Sequence, residues 1–287
     1  RFLSSEYNKE FGMIHRRLWA AAMAGLFMSA GIAYADQVAD IKKKGELVVG
    51  VLGTDEPLSF IDPKTRELAG YDVELGKAVA AKLGVKPVFK QITLAARIPE
   101  LQQGHIDLLA ASLTHSKERE AQIDFSLTTF IAGQKVLVKA NSGIKDVPEL
   151  AGKRVSTAKG SSMEVNIKAT VPTVTVVSFD TSPQALVAMQ QGKVVAFVNE
   201  DQSLARALVQ LGDQAKDYTM LPTSISSEPL ALGIKKGEAG LKKLVDETLR
   251  ELEVGGKAEG MYEQWFGQKS ALKLPKRTFK FETDKID

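Results

Sequence analysis

The 287-residue chain contains no cysteine. That removes disulfides, thiolate metal sites and cysteine nucleophiles from consideration, and with them the lipid-modified cysteine of a lipoprotein anchor. Histidine is scarce. Of His15, His105 and His115, the last two lie beyond the N-terminal segment and have no partner at ligand spacing, so neither a metal site nor a cofactor is expected. A Ser-His-Asp arrangement around His115 lacks a nucleophile elbow. Charge of one sign is also scarce: the net charge is +3, of which +2 falls in residues 1–35. The lysines are scattered among acids, which excludes a basic stripe for nucleic acid. Outside residues 18–32 no apolar run is long enough to span a bilayer.

What remains is an ordinary globular composition, 44% hydrophobic and 25% charged, with enough chain for one large or two modest domains. Residues 1–12, RFLSSEYNKEFG, precede Met13 and read as an upstream extension outside the fold. Residues 13–35 read as a signal peptide. His15-Arg16-Arg17 is its basic start, 18–32 its alanine-rich apolar run, and Ala33-Tyr34-Ala35 its cleavage site before Asp36.

Beyond it, apolar runs and helical periods alternate. Strands are expected at 47–51, 88–92 and 106–110, and helices at 38–44, 73–83 and 98–103. Asp72 is the expected N-cap of the second helix and Gly84 the residue past its end. Such alternation implies a parallel sheet with helical crossovers. Residues 135–138 then enter a small-residue loop at 140–144, and the pattern restarts. Strands follow at 154–157, 174–177 and 194–198, with helices from 163, at 182–191 (Pro183 in its first turn) and at 202–210. The run 230–234 returns the chain. An amphipathic helix at 239–252 and another at 257–266 follow, and the tail 270–287 is basic and extended.

The stretch Gly104-His105 followed by IDLLAASLTHSKEREAQIDFS holds the chemistry. A buried strand ends at Ser112-Leu113-Thr114, and Ser116 can cap a helical turn containing Arg119. Ligands of α/β sheets bind outside the carboxyl ends of strands. Hydroxyls, free N–H groups and a guanidinium at such a point make a carboxylate site. The loop Gly160-Ser161-Ser162, directly before a helix, is a second candidate anion site.

This stretch, together with GYDVELGKAVAAKLG and RIPELQQGHIDLL, resembles the bacterial extracellular solute-binding proteins for polar amino acids (family 3) from about residue 41 to 266. The resemblance implies a two-lobed α/β fold of the type II periplasmic-binding-protein kind. Each lobe would be a mostly parallel sheet flanked by helices, and two crossing hinge strands would join them. Lobe 1 is expected at 36–138 and 231–287, and lobe 2 at 139–230. It also implies that Ser112, Thr114 and Arg119 hold the α-amino and α-carboxylate groups of an amino acid, with Ser161 and Ser162 as further donors. Where the family has an aspartate for the ammonium, a gap-free alignment places Glu200, with Asp201 as alternate. Arg97 matches an arginine that the glutamate/aspartate-binding branch aims at the side-chain carboxylate. Three positions depart from that branch: Leu52 replaces an arginine, Leu94 a serine and Ser182 a histidine.

The expected function is therefore an amino-acid receptor, most simply for an acidic amino acid. It would be monomeric, periplasmic and not lipid-anchored, closing on its ligand and docking on an ABC permease in the inner membrane. Two other readings share the fold: a periplasmic enzyme of the cyclohexadienyl-dehydratase type using Glu200 as general acid, and a sensor presenting its ligand to a chemoreceptor.

Overall fold

A computed structural model describes residues 37–282; the expected extension and signal peptide lie outside them. In chain order the elements are α1 (Gln37–Lys44), β1 (Glu46–Val51), β2 (Thr54–Asp55), β3 (Ser59–Ile61), β4 (Leu68–Ala69), α2 (Tyr71–Leu83), β5 (Lys86–Gln91), α3 (Arg97–Gln102), β6 (Leu108–Leu109), α4 (Lys117–Glu120) and β7 (Ile123–Lys139). There follow β8 (Arg154–Ala158), α5 (Met163–Thr170), β9 (Thr175–Phe179), α6 (Ser182–Gln190), β10 (Ala196–Glu200), α7 (Asp201–Leu211), β11 (Tyr218–Met220), β12 (Ser226–Lys235), α8 (Ala239–Val254) and α9 (Lys257–Trp265).

Among the described residues one mixed sheet runs β5-β1-β6-β12-β7-β10-β8-β9, with β11 added to β7. At one end β5, β1 and β6 are parallel, and at the other β10, β8 and β9 are parallel. The long antiparallel pair β7/β12 joins the two ends. The 17-residue β7 pairs with β12 up to Gln134 and with β10 from Gln134 onward.

The apolar core follows the same division. Two clusters draw only on residues up to 132 and from 230 onward, one on each face of the first half-sheet. Two others draw only on residues 136–225. Both halves are thus α/β sandwiches, each with its own core. Mixed topology arises only where β7 and β12 pass between them.

Local chemistry sets several element ends. Helix α2 is capped two residues earlier than expected. Gly70 holds the N-cap position at φ 125°, where a Cβ would lie 2.3 Å from the Leu58 carbonyl oxygen, so only glycine fits. Asp72 is therefore inside the helix, and its carboxylate reaches across to the Ser112 N–H at 2.9 Å. Ser116 caps α4 as expected, accepting from the Arg119 N–H. Helix α6 carries a full capping box from Thr181 and Gln184, with Pro183 in the first turn. The tail after α9 folds back onto the first half. Phe281 is buried there, and Arg277 sits between Glu253 and Glu259 while flanked by Phe279 and Phe281.

Candidate functional site

The strand ends β1, β6, β8 and β10 converge where the two halves face each other. Three of them bring polar groups there: Ser112 after β6, the Gly160-Ser161-Ser162 turn after β8, and Glu200 at the end of β10. These groups line a narrow cleft together with Asp55, Leu94, Arg97, Thr114, Ala158, Met163, Ser182 and Asn199.

Of the residues singled out in the sequence, the structure brings eight into this cleft: Ser112, Thr114, Ser161, Ser162, Glu200, Arg97, Leu94 and Ser182. Ser112 is the pivot. It has a positive φ of 50°, a left-handed conformation that costs a non-glycine residue about 1–2 kcal/mol. Its N–H donates to Asp72, its hydroxyl donates to Glu200 at 3.1 Å, and its carbonyl accepts from Arg97. Across the cleft the Thr114 and Ser162 hydroxyls meet at 3.1 Å, and Gln134 donates to Ser162. Ser162 and Met163 form the N-terminal turn of α5, which presents a positive helix end to the cleft.

Three expected residues lie elsewhere. Leu52 is buried in the core of the first half and donates its N–H to Ser59. Asp201 turns away from the cleft to accept from the Gly133 N–H on β7, so of the two adjacent acids only Glu200 lines it. Arg119 lies behind Thr114, where it donates to the Thr114 carbonyl at 2.9 Å and to Gly160 at 3.4 Å. It borders a larger, adjoining cavity that shares Thr114, Ser161 and Ser162 with the cleft.

Arg97 is placed as expected but engaged otherwise. It is 3% exposed and donates to four backbone carbonyls: Leu94 at 2.9 Å, Ala111 at 3.0 Å, Ser112 at 2.5 Å and, from the opposite half, Gly160 at 2.9 Å. A guanidinium has five N–H groups, so one is left. The sequence around Arg97 could not show this, because all four acceptors are backbone atoms.

Two acids at the site were not expected there: Asp55 lines the cleft, and Asp72, inside α2, reaches it through the Ser112 N–H. Burial raises Asp55 to about 6, against the Ser203 and Ser112 hydroxyls and Arg97, which lower it. Burial raises Asp72 to about 7, against the Ser112 N–H. Glu200 is pushed up to about 8 by burial and by the neighbouring Asp55. Burial and the nearby Arg119 lower Arg97 to about 9, still charged at neutral pH. Three carboxyls thus crowd one guanidinium whose donors are mostly occupied. Among the described residues no cluster of three or more His, Cys, Asp or Glu side chains is arranged to hold a metal ion.

The two halves touch across the cleft at several further points. Ser203 donates to Asp55 at 3.1 Å, Arg206 pairs with Glu56 at 2.7 Å, and Gln210 donates to the other Glu56 oxygen at 3.1 Å. The backbone of Gly160 packs so closely on the turn at 94–96 that a Cβ would lie 2.7 Å from the Ala95 Cα.

Known proteins resemble this chain in sequence and fold. The chain is 31% identical over 240 residues to the ABC transporter glutamine-binding protein GlnH of Bacillus subtilis, covering 82% of this chain and 86% of that one. It is 27% identical over 266 residues to an L-glutamate/L-aspartate-binding protein of Pseudomonas aeruginosa, covering 88% and 87%. The crystal structure of an ancestral amino acid-binding protein, a precursor of cyclohexadienyl dehydratase, superposes with a TM-score of 0.73 at 30% identity. It covers 80% of this chain and 99% of that one. The fold is that of the type II periplasmic binding proteins. Among the described residues no helix is long and apolar enough to cross a membrane. Residues 47–268 match the sequence profile of the bacterial extracellular solute-binding proteins, family 3, and the chain belongs to that family of amino-acid solute-binding proteins of ABC transporters.

Proposed function

We propose that the protein is the receptor of an ABC importer for a polar amino acid, held between two lobes that hinge where β7 and β12 cross. The core clusters divide between residues 132 and 136 and between 225 and 230, which supports placing the hinge there. No bond is made or broken. Ligand that touches both lobes raises the population of the closed form, and a permease selects that form.

The observation that carries this reading is the pairing of opposite chemistries within one cleft. A zwitterion needs donors for its carboxylate and an acid for its ammonium. Thr114 from the first half, and Ser162 with the positive end of α5 from the second, supply the donors, with Arg119 directly behind Thr114. Buried Glu200, at the end of β10, supplies the acid. Arg119→Ala is expected to lose most of the affinity for every amino acid in isothermal calorimetry. Wild-type affinity in that variant would overturn the carboxylate assignment.

For the side chain, Arg97 suggested an acidic ligand. The engaged Arg97 and the acid Asp55 favour an amide of the glutamine kind, which can accept from the remaining Arg97 N–H and donate to Asp55. A glutamate or aspartate side chain fits only with Asp55 and Glu200 protonated. Titrating glutamine and glutamate from pH 5 to 8 separates them: a glutamine receptor prefers the amide throughout, and a glutamate receptor binds more tightly as pH falls.

One observation favours a second reading on the same fold. Glu200, buried and holding its proton to about pH 8, has the form of a general acid. Aromatic product from prephenate or arogenate, lost in Glu200→Gln, would establish the enzyme; no product removes it.

A further inference from the structure

A second cavity adjoins the cleft, and Asp55, Ser182 and Asn199 line both. Its wall is largely apolar, formed by Pro183, Leu186, Val187, Phe197 and Ala207. Its polar groups are few and specific. The Arg206 Nε is buried and has no hydrogen-bond partner, although the same guanidinium is fixed by Nη2 on Glu56. Both Glu56 oxygens are occupied, one by Arg206 and one by Gln210. Asp55, which lines both cavities, accepts from Ser203 through one oxygen.

A buried N–H without a partner carries a desolvation cost that a ligand acceptor relieves. The acid Asp55 on the shared wall offers the converse, an acceptor for ligand N–H groups. Between them the apolar wall suits methylenes. We propose that this cavity is a side-chain chamber for an L-amino acid longer than glutamine whose chain ends in a carbonyl bearing its own N–H groups, a ureido or acylamino group. The carbonyl accepts from Arg206 Nε and the N–H groups donate to Asp55. The inference rests on the amino-acid head binding in the first cleft as proposed above. A guanidinium of the same shape satisfies Asp55 but leaves Arg206 Nε unpaired and meets its charge, so L-citrulline and L-arginine, near-isosteres, discriminate.

The test is calorimetry of the purified protein with L-glutamine, L-citrulline and L-arginine. Two variants accompany the wild type. Arg206→Lys keeps a cation for Glu56 but removes the guanidinium N–H, and Ala207→Met fills the chamber. The expected result is citrulline bound at least tenfold more tightly than arginine by the wild type. That preference should shrink at least threefold in Arg206→Lys, and the citrulline-to-glutamine affinity ratio should fall at least tenfold in Ala207→Met. Glutamine binding without citrulline binding, or ratios unchanged in both variants, overturns the chamber and leaves the receptor standing. No binding of any amino acid overturns the receptor and the chamber together.

Discussion

Replacing Gly160 by alanine tests lobe closure directly. Gly160 has a φ of +80°, and an added Cβ would meet backbone atoms of Ala95, the Cα at 2.7 Å and the N at 3.0 Å. Backbone atoms cannot rotate away as a side chain can, so the lobes must separate or the turn at 94–96 must shift. Either movement lengthens the bonds from Arg97 and Arg119 to the Gly160 carbonyl. A hydrogen bond from a charged group contributes about 1.5–3 kcal/mol. Loss of one in the closed form alone lowers ligand affinity roughly tenfold to a hundredfold. The left-handed backbone adds about 1–2 kcal/mol in open and closed forms alike, so it lowers the melting temperature of the free protein without changing closure. Calorimetry with the best-bound amino acid measures the first effect, and thermal unfolding without ligand measures the second. An unchanged dissociation constant accompanied by a lowered melting temperature would refute the claim that this contact belongs to the binding-competent form.

Arg97→Met removes the donors from four backbone carbonyls and leaves three acids without their cation; a loss of about 3–5 kcal/mol in urea unfolding is expected. If Arg97 served only the ligand, stability would stay at the wild-type value. Glu200 gives a pH signature. A glutamate titrates near 4.3 in the unfolded chain and near 8 here, so the folded form binds more protons between those values. Its stabilising contribution is complete below about pH 4 and is lost as pH rises through about 8, and Glu200→Gln should flatten that fall in a melting-temperature series. An ammonium beside Glu200 favours the carboxylate, so at pH 7 binding should release protons, read from the dependence of the binding enthalpy on buffer ionisation; no release would separate Glu200 from the ligand amine. Arg277→Ala frees the tail from Glu253 and Glu259; a loss of about 2–3 kcal/mol and faster proteolysis after Trp265 are expected, with ligand affinity unchanged.

Elements with a periodic face and chemical punctuation were legible in the sequence. The helix expected at 239–252 is Ala239–Val254, and the one at 182–191 is Ser182–Gln190. β7 was not legible as one element. Its 17 residues are buried on both faces over most of their length, which erases the alternation that marks a single long strand. The cleft was legible where a motif carried it, at Ser112, Thr114 and Ser162. It was illegible at Asp55, on the short strand β2, and at Asp72, inside α2, whose places at the site are set by tertiary contacts. The engagement of Arg97 also escaped sequence reading, since a carbonyl acceptor leaves no trace in residue identity. Asp72 illustrates the limit: it has the composition of a helix cap, but tertiary structure directs it to Ser112.

The mixed origin of the first core bears on synthesis. Ile41, Tyr71 and Phe130 pack with Leu232, Tyr262 and Phe281, whereas the second pair of cores is complete within residues 136–225. On a ribosome adding about 5–20 residues per second, the inserted half is whole while its host still waits for β12, α8, α9 and the tail. The distance from residue 132 to 230 alone corresponds to roughly 5–20 s. The half that begins first is therefore the later of the two to fold, and the nascent chain keeps its N-terminal strands unsatisfied until β12, α8, α9 and the tail have been made.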